Sequence, residues 1–143
     1  MKKIMYLLFM SVVFLIGSVG ISGSASAAST STSIKMNSEF PWGGTANITT
    51  SETHLNVNAT FEAAYDSHVN VKLTLQRNNN GTWSDVATKS GLARNLFMDK
   101  SNLNVSFTNI SNVLNKSHRI KVQIYNRTNG NHMQTAYSKT WVR

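Results

Sequence analysis

The stretch His68-Val-Asn-Val-Lys-Leu-Thr-Leu-Gln-Arg-Asn-Asn-Asn-Gly-Thr-Trp-Ser-Asp-Val-Ala-Thr-Lys89 decides the fold class. Val69, Val71, Leu73 and Leu75 alternate with Asn70, Lys72, Thr74 and Gln76, the two-residue period of a strand with one buried and one wet face. Asn78-Asn79-Asn80-Gly81 follows, and Asn and Gly tolerate the positive φ that tight hairpins require. With Asn80-Gly81 as a two-residue loop, Leu75 faces Val86 and Gln76 faces Asp85, so like meets like. Trp83 has the wrong parity for the buried face, which predicts a bulge near Ser84-Asp85 or a Trp at the rim.

Upstream, Leu55, Val57, Ala59, Phe61 and Ala63 alternate with polar residues as a strong strand. Thr45–Thr50 is a weaker strand and Ile34-Lys-Met36 a short first one. Between them Glu39-Phe-Pro-Trp-Gly-Gly44 is a turn, because Pro41 cannot sit in a central strand and the glycines break regular structure. Phe40 and Trp42 either form an exposed aromatic tip or plug the end of the fold, and plugging is the commoner fate of large apolar side chains. Downstream, Ser90–Asp99 has Leu92, Leu96, Phe97 and Met98 without a clean period, which suggests a crossover loop or a short helical turn. Leu103, Val105 and Phe107 alternate as a further strand.

Ile120, Val122 and Ile124 alternate with polar residues, the loop Arg127–Asn131 carries an Asn-Gly turn signal, and Gln134–Val142 returns. Two registers compete. The preferred one sets Ile120, Val122 and Ile124 against Thr140, Ser138 and Ala136, and sends Tyr125, Tyr137 and Trp141 outward among Arg119, Lys121, Arg127 and Lys139. A slip of one residue turns Tyr137 and Trp141 inward and takes Lys139 with them, at the cost of burying an unpaired charge.

Short alternating strands with regular turns and no helical period predict an all-β fold, an antiparallel β-sandwich of about seven strands. The hairpin Val69–Lys89 resembles the third strand and its successor in fibronectin type III and other immunoglobulin-like domains. His118-Arg-Ile-Lys-Val-Gln-Ile124 resembles their penultimate strand. The resemblance implies an architecture only, since that fold hosts many unrelated functions. The chain lacks the cysteine pair and the strand tryptophan of antibody domains, and has His118 where a corner tyrosine is common.

Residues 1–27 read as a secretory signal peptide: Lys2-Lys3, an apolar run from Met5 to Ile21, and Ala25-Ser26-Ala27 as a cleavage site. Removing them leaves 116 residues, one domain of ordinary size. Residues 28–33, only Ala, Ser and Thr, read as a flexible leader, and 34–143 as the sandwich. An exported domain with no cysteine fits a Gram-positive secreted protein better than a disulfide-stapled eukaryotic one. Without Lys2 and Lys3, twelve basic residues stand against six acidic ones, a charge of +6, which favours anionic partners.

Enzymatic signatures are missing. No Gly-x-Ser-x-Gly elbow marks a serine, the six acids are scattered, and His54, His68, His118 and His132 have no metal-ligand spacing. No cofactor is implied. The constellation with chemical promise is Arg119, Lys121, Tyr125, Arg127, Tyr137, Lys139 and Trp141, cations interleaved with rings that could hold phosphates by charge and sugars by stacking. The expectation is therefore a small, non-enzymatic, secreted binding protein, loosely associated with anionic wall polymers or an anionic membrane surface and with no specific nucleic acid. An antimicrobial or toxin-like protein acting on competitor membranes is one alternative. A surface or matrix component is another, encouraged by the uncharged alternation of Leu55–Phe61.

Overall fold

The computed structural model describes residues 29–111 and 115–143. The signal peptide expected at residues 1–27 lies outside the described residues. Ten strands occur among those described: β1 (Ser29–Lys35), β2 (Thr45–Glu52), β3 (Val57–Glu62), β4 (Ser67–Asn79), β5 (Thr82–Leu96), β6 (Asp99–Ser101), β7 (Leu103–Phe107), β8 (Ser117–Asn126), β9 (His132–Tyr137) and β10 (Trp141–Val142). They form two antiparallel sheets, a β-sandwich. The first sheet runs β1-β2-β3-β7. The second runs β10-β8-β4-β5-β6, with β9 and β10 sharing the side of β8 that β4 does not occupy.

The core is the product of period-2 alternation. Val69, Val71, Leu73 and Leu75 of β4 and Ile120, Val122 and Ile124 of β8 face Ile48, Val57 and Phe61 of the first sheet, all buried. Every second residue of these strands thus leaves water together, at roughly 1.5–3 kcal/mol for each large apolar side chain buried. Phe40 is buried and plugs one end, while Trp42, two residues on, is exposed; the loop takes both of the predicted fates.

The central hairpin turns at Asn80-Gly81 as the sequence suggests, both residues having positive φ. Gln76 pairs with Asp85, but Leu75 pairs with Ala87 rather than Val86, because a bulge intervenes between the two pairs. The bulge takes up one residue, so Trp83 stays on the outer side of the second sheet without reversing the apolar parity beyond it.

Three expectations need correction. Ser29 to Ser33 are not a flexible leader but most of β1, paired residue for residue with β2 from Ser29 opposite Ser51. Side chains help set that register: Thr30 and Thr50 hydroxyls lie 2.7 Å apart, and Ser33 Oγ donates to Asn47 Oδ1 at 2.9 Å. The segment Ser90–Asp99 is neither crossover nor helix. β5 continues through it to Leu96 and folds back as β6. Gly91 and Ala93 face inward opposite Val71 and Val69, and at Gly91 Leu103 presses close: a Cβ there would sit 2.5 Å from Leu103 Cδ1. Leu92 meanwhile points outward and is exposed.

The third correction concerns the last hairpin. Val122 pairs with Ala136 and Ile124 with Gln134, two residues from the preferred pairing but with the same facing, so Tyr137 is outward. Ser138 N donates to Ile120 O and Ser138 Oγ accepts from Ile120 N, each at 2.9 Å. Trp141 then pairs with His118, so Lys139 and Thr140 together stand opposite Arg119. That extra residue inverts the parity: Trp141 turns inward and is buried while Lys139 remains exposed. A bulge therefore combines the two competing registers and avoids burying the lysine.

Both open sides are managed. Gln134 Nε2 donates to Lys35 O at 2.9 Å, and Lys139 N donates to Thr32 Oγ1 at 2.7 Å, tying β9 and its sequel to β1. On the other side the chain passes from β6 to β7 across Asn102 alone, which stitches the sheets covalently. The segment Val57–Phe61 lies in β3, paired on both sides, and offers no edge.

Candidate functional site

The outer face of the second sheet is built by the wet halves of β4, β5 and β8 with β9. Thr88, Thr74, Lys121 and Tyr137 form one cross-strand row, and Ser90, Lys72, Gln123 and Thr135 the next. Arg119 sits beyond the first row, across from Gln76, which in turn faces Asp85.

Arg119 is the best-fixed cation of this face. Its guanidinium carbon lies 4.1 Å from the Trp83 ring centroid and 4.0 Å from that of Tyr137, so it has a ring face on each of two sides. Arg119 Nε donates to Gln76 Oε1 at 2.8 Å, and Gln76 Nε2 donates to Asp85 Oδ1 at 2.7 Å. Gln76 is buried, so this relay fixes the amide and, through it, the stem of Arg119. A guanidinium held by two ring faces and one hydrogen bond has already lost much of the side-chain freedom that an anion would otherwise have to immobilise.

The residues expected to form the basic-aromatic face separate into groups. Arg119, Lys121, Tyr125 and Tyr137 share the outer face, which runs from Arg119 to Tyr125 over roughly 20 Å of strand. Tyr125 packs edge-on against His132 with ring centroids 5.4 Å apart. Arg127 lies in the β8–β9 loop at the end of the sandwich, and Lys139 lies at the bulge beside β1. Trp141 is inside, so it is unavailable as a stacking surface. Trp83 stands on the outer face instead, against Arg119, and Lys72 adds a cation. The wrong parity of Trp83 was the available sign; what it omitted was that Arg119 arrives from a strand 36 residues away.

Trp141 belongs to a different cluster, at the end where β2 finishes and β8 begins. Its Nε1 donates to Glu52 Oε2 at 3.1 Å, and Arg143 Nε approaches the same oxygen at 2.8 Å. Arg143 Nη2 also donates to the Thr53 and His54 carbonyls at 3.4 and 3.0 Å. His118 is buried against this group, its ring centroid 6.1 Å from that of Trp141. Arg77 Nε lies 3.3 Å from His118 Nε2, and His118 Nδ1 lies 2.8 Å from Lys116 O. The tautomer that fits both contacts carries its proton on Nδ1 and accepts from Arg77 on Nε2. Burial pushes the His118 pKa below its ordinary value, the Lys116 carbonyl opposes that, and the Arg77 and Arg143 charges add to the lowering. This cluster joins the sheets and is a structural clasp. Among the described residues no three His, Cys, Asp or Glu side chains are grouped to hold a metal.

No protein-family model and no curated protein matches the chain.

Proposed function

We propose that the protein is a small, secreted, non-enzymatic binding module that holds anionic cell-envelope polymers on the outer face of its second sheet. The observation that carries this reading is Arg119 fixed between Trp83 and Tyr137, with Lys121 and Lys72 on the adjoining rows. A phosphate would meet the terminal nitrogens of a pre-set guanidinium, and the flanking rings would accept the apolar faces of sugar or polyol units. Asp85 is the acid nearest this cation in the sheet and is itself engaged by Gln76.

Strand order supports an immunoglobulin-like domain of the fibronectin type III kind: β2, β3 and β7 oppose β9, β8, β4 and β5, with β1 as an added N-terminal strand. Such a domain presents broad sheet faces rather than a deep catalytic cleft, which suits a chain of repeating charges. Outside a Gram-positive cell the fitting ligand class is wall teichoic acid, a polymer of phosphates and polyols.

The test is cosedimentation of residues 28–143 with purified Gram-positive walls, before and after acid removal of teichoic acid, across a salt series. Binding should vanish with the polymer and weaken steeply with salt. Arg119→Glu should abolish it, and Trp83→Ala should weaken it about two- to fivefold, the measure of one exposed cation–π contact. Retention in the supernatant at low salt, or wild-type binding by Arg119→Glu, would refute the reading.

A further inference from the structure

A second surface lies where β1, β3, β5 and β8 finish. There the β1–β2 loop carries Trp42, the β3–β4 turn Tyr65, and the β5–β6 hairpin Phe97 and Met98; these side chains are 76%, 60%, 85% and 91% exposed. Asp66 N donates to Asn95 O at 2.8 Å, joining the turn of Tyr65 to the base of that hairpin. Trp42, Asp66 and Arg127 border a common cleft of about 190 Å3, which places the first loop at the same end. At the opposite end the aromatic Trp141 is buried in the clasp.

Folding does not demand these residues. Leu96 pairs with Asp99, so Phe97 and Met98 are the two loop positions of a tight hairpin, and a turn without positive φ accepts most residue types and does not call for large apolar ones. Neither Phe97 nor Met98 has positive φ, and almost all of each side chain is in solvent. Phe40 already plugs the core, so Trp42 is not needed to close it. Four large apolar groups on three loops are more than scattered exposure explains.

The chemistry around them identifies the partner. Arg94 pairs with Asp99 at 2.8 Å and Lys100 with Glu62 at the base of the hairpin. With Lys35 and Arg127 set against Glu39 and Asp66, the collar behind the tips holds four basic and four acidic residues and no net charge. The four side chains stand on three separate loops, each mostly in solvent, and do not pack into the continuous patch that protein interfaces match. A lipid surface accommodates separate projections, and Trp, Tyr and Phe favour its headgroup boundary. A collar of mixed charge matches zwitterionic headgroups.

We propose that this end of the sandwich docks on a phospholipid bilayer, with Trp42, Phe97 and Met98 entering the headgroup–acyl boundary and Tyr65 lying at headgroup level. The contact is peripheral. It is apolar in origin, so it withstands salt that would screen the binding of polymers at Arg119.

The absence of cysteine makes a single-label test simple. Met98→Cys carries a solvatochromic dye at the tip, and Thr82→Cys, at an exposed position, carries the same dye at the opposite end. Phosphatidylcholine vesicles should blue-shift the dye at position 98 and not at 82, with the shift retained at about 1 M salt, where the Debye length is about 3 Å. In flotation of the unlabelled chain, Phe97→Ser and Trp42→Ser should each lower partitioning by roughly tenfold, and Arg119→Glu should leave it unchanged. Both replaced side chains are exposed, and unfolding curves verify that the variants remain folded. A silent dye at position 98, or flotation unaffected by Phe97→Ser, overturns the proposal. So does a dimer in sedimentation that Phe97→Ser dissolves, since the tips would then cover each other.

Discussion

Replacing Glu52 by Gln should cost the fold about 2–4 kcal/mol, although the two side chains are nearly the same size. One carboxylate oxygen accepts the Trp141 indole at 3.1 Å and pairs with Arg143 at 2.8 Å. The Arg143 side chain is 3% exposed and that of Glu52 13%. Removing one partner of a buried pair typically costs about 3–5 kcal/mol, because a charge remains without its counter-ion in a poorly solvating site. Here the loss is tempered, since the glutamine carbonyl can still accept one bond and Arg143 keeps the Thr53 and His54 carbonyls. Against a total stability of about 5–15 kcal/mol, a change of that size is conspicuous. The pairs Arg94–Asp99 and Lys100–Glu62, with side chains at least 36% exposed, should be worth under about 1 kcal/mol. Urea unfolding of Glu52→Gln, Arg143→Gln and the double variant would measure both the loss and the coupling. The midpoint should fall with an unchanged slope, and the double should be less destabilised than the sum of the singles. A loss under about 1 kcal/mol for Glu52→Gln, or strict additivity, would refute the buried clasp.

His118 should make stability depend on pH. Its folded pKa is below its unfolded value, so the unfolded chain takes up that proton first as the pH falls. The contribution is complete above about pH 6.5 and is lost as the pH falls towards the depressed folded pKa, at up to roughly 1 kcal/mol per pH unit. His118→Asn should remove that part of the slope in unfolding curves between about pH 5 and 7; an identical slope would show that His118 is not its source. Gly91→Ala should destabilise by about 1–3 kcal/mol, since the new Cβ meets Leu103 Cδ1. In the Leu103→Ala background the same change should cost much less, and an equal penalty in denaturant unfolding would place the strain elsewhere.

The strands that were legible in the sequence are those whose evidence is local. β4 and β8 alternate without interruption, and Asn80-Gly81 has the backbone freedom its turn needs. β1 was hidden because Ser and Thr serve equally well in a leader and in a strand that buries little apolar surface. The end of β5 was hidden for the opposite reason: its inward positions hold Gly91, where Leu103 leaves no room for a side chain, and Ala93, while the apolar Leu92 falls on the wet face.

Of the candidate site, the sequence by itself determined that cations and rings alternate along β8 and β9, and that an all-β chain would expose one face of them. Only the tertiary structure decided which rings meet which cation. The bulge at Lys139-Thr140 sends Trp141 inward to Glu52, and the bulge beyond Gln76 leaves Trp83 outside to meet Arg119. A period-2 pattern states which residues share a face within one strand. A single inserted residue reverses that relation, and whether it is inserted depends on what the neighbouring strands can bury, such as a tryptophan whose indole has a carboxylate waiting and a lysine that has none.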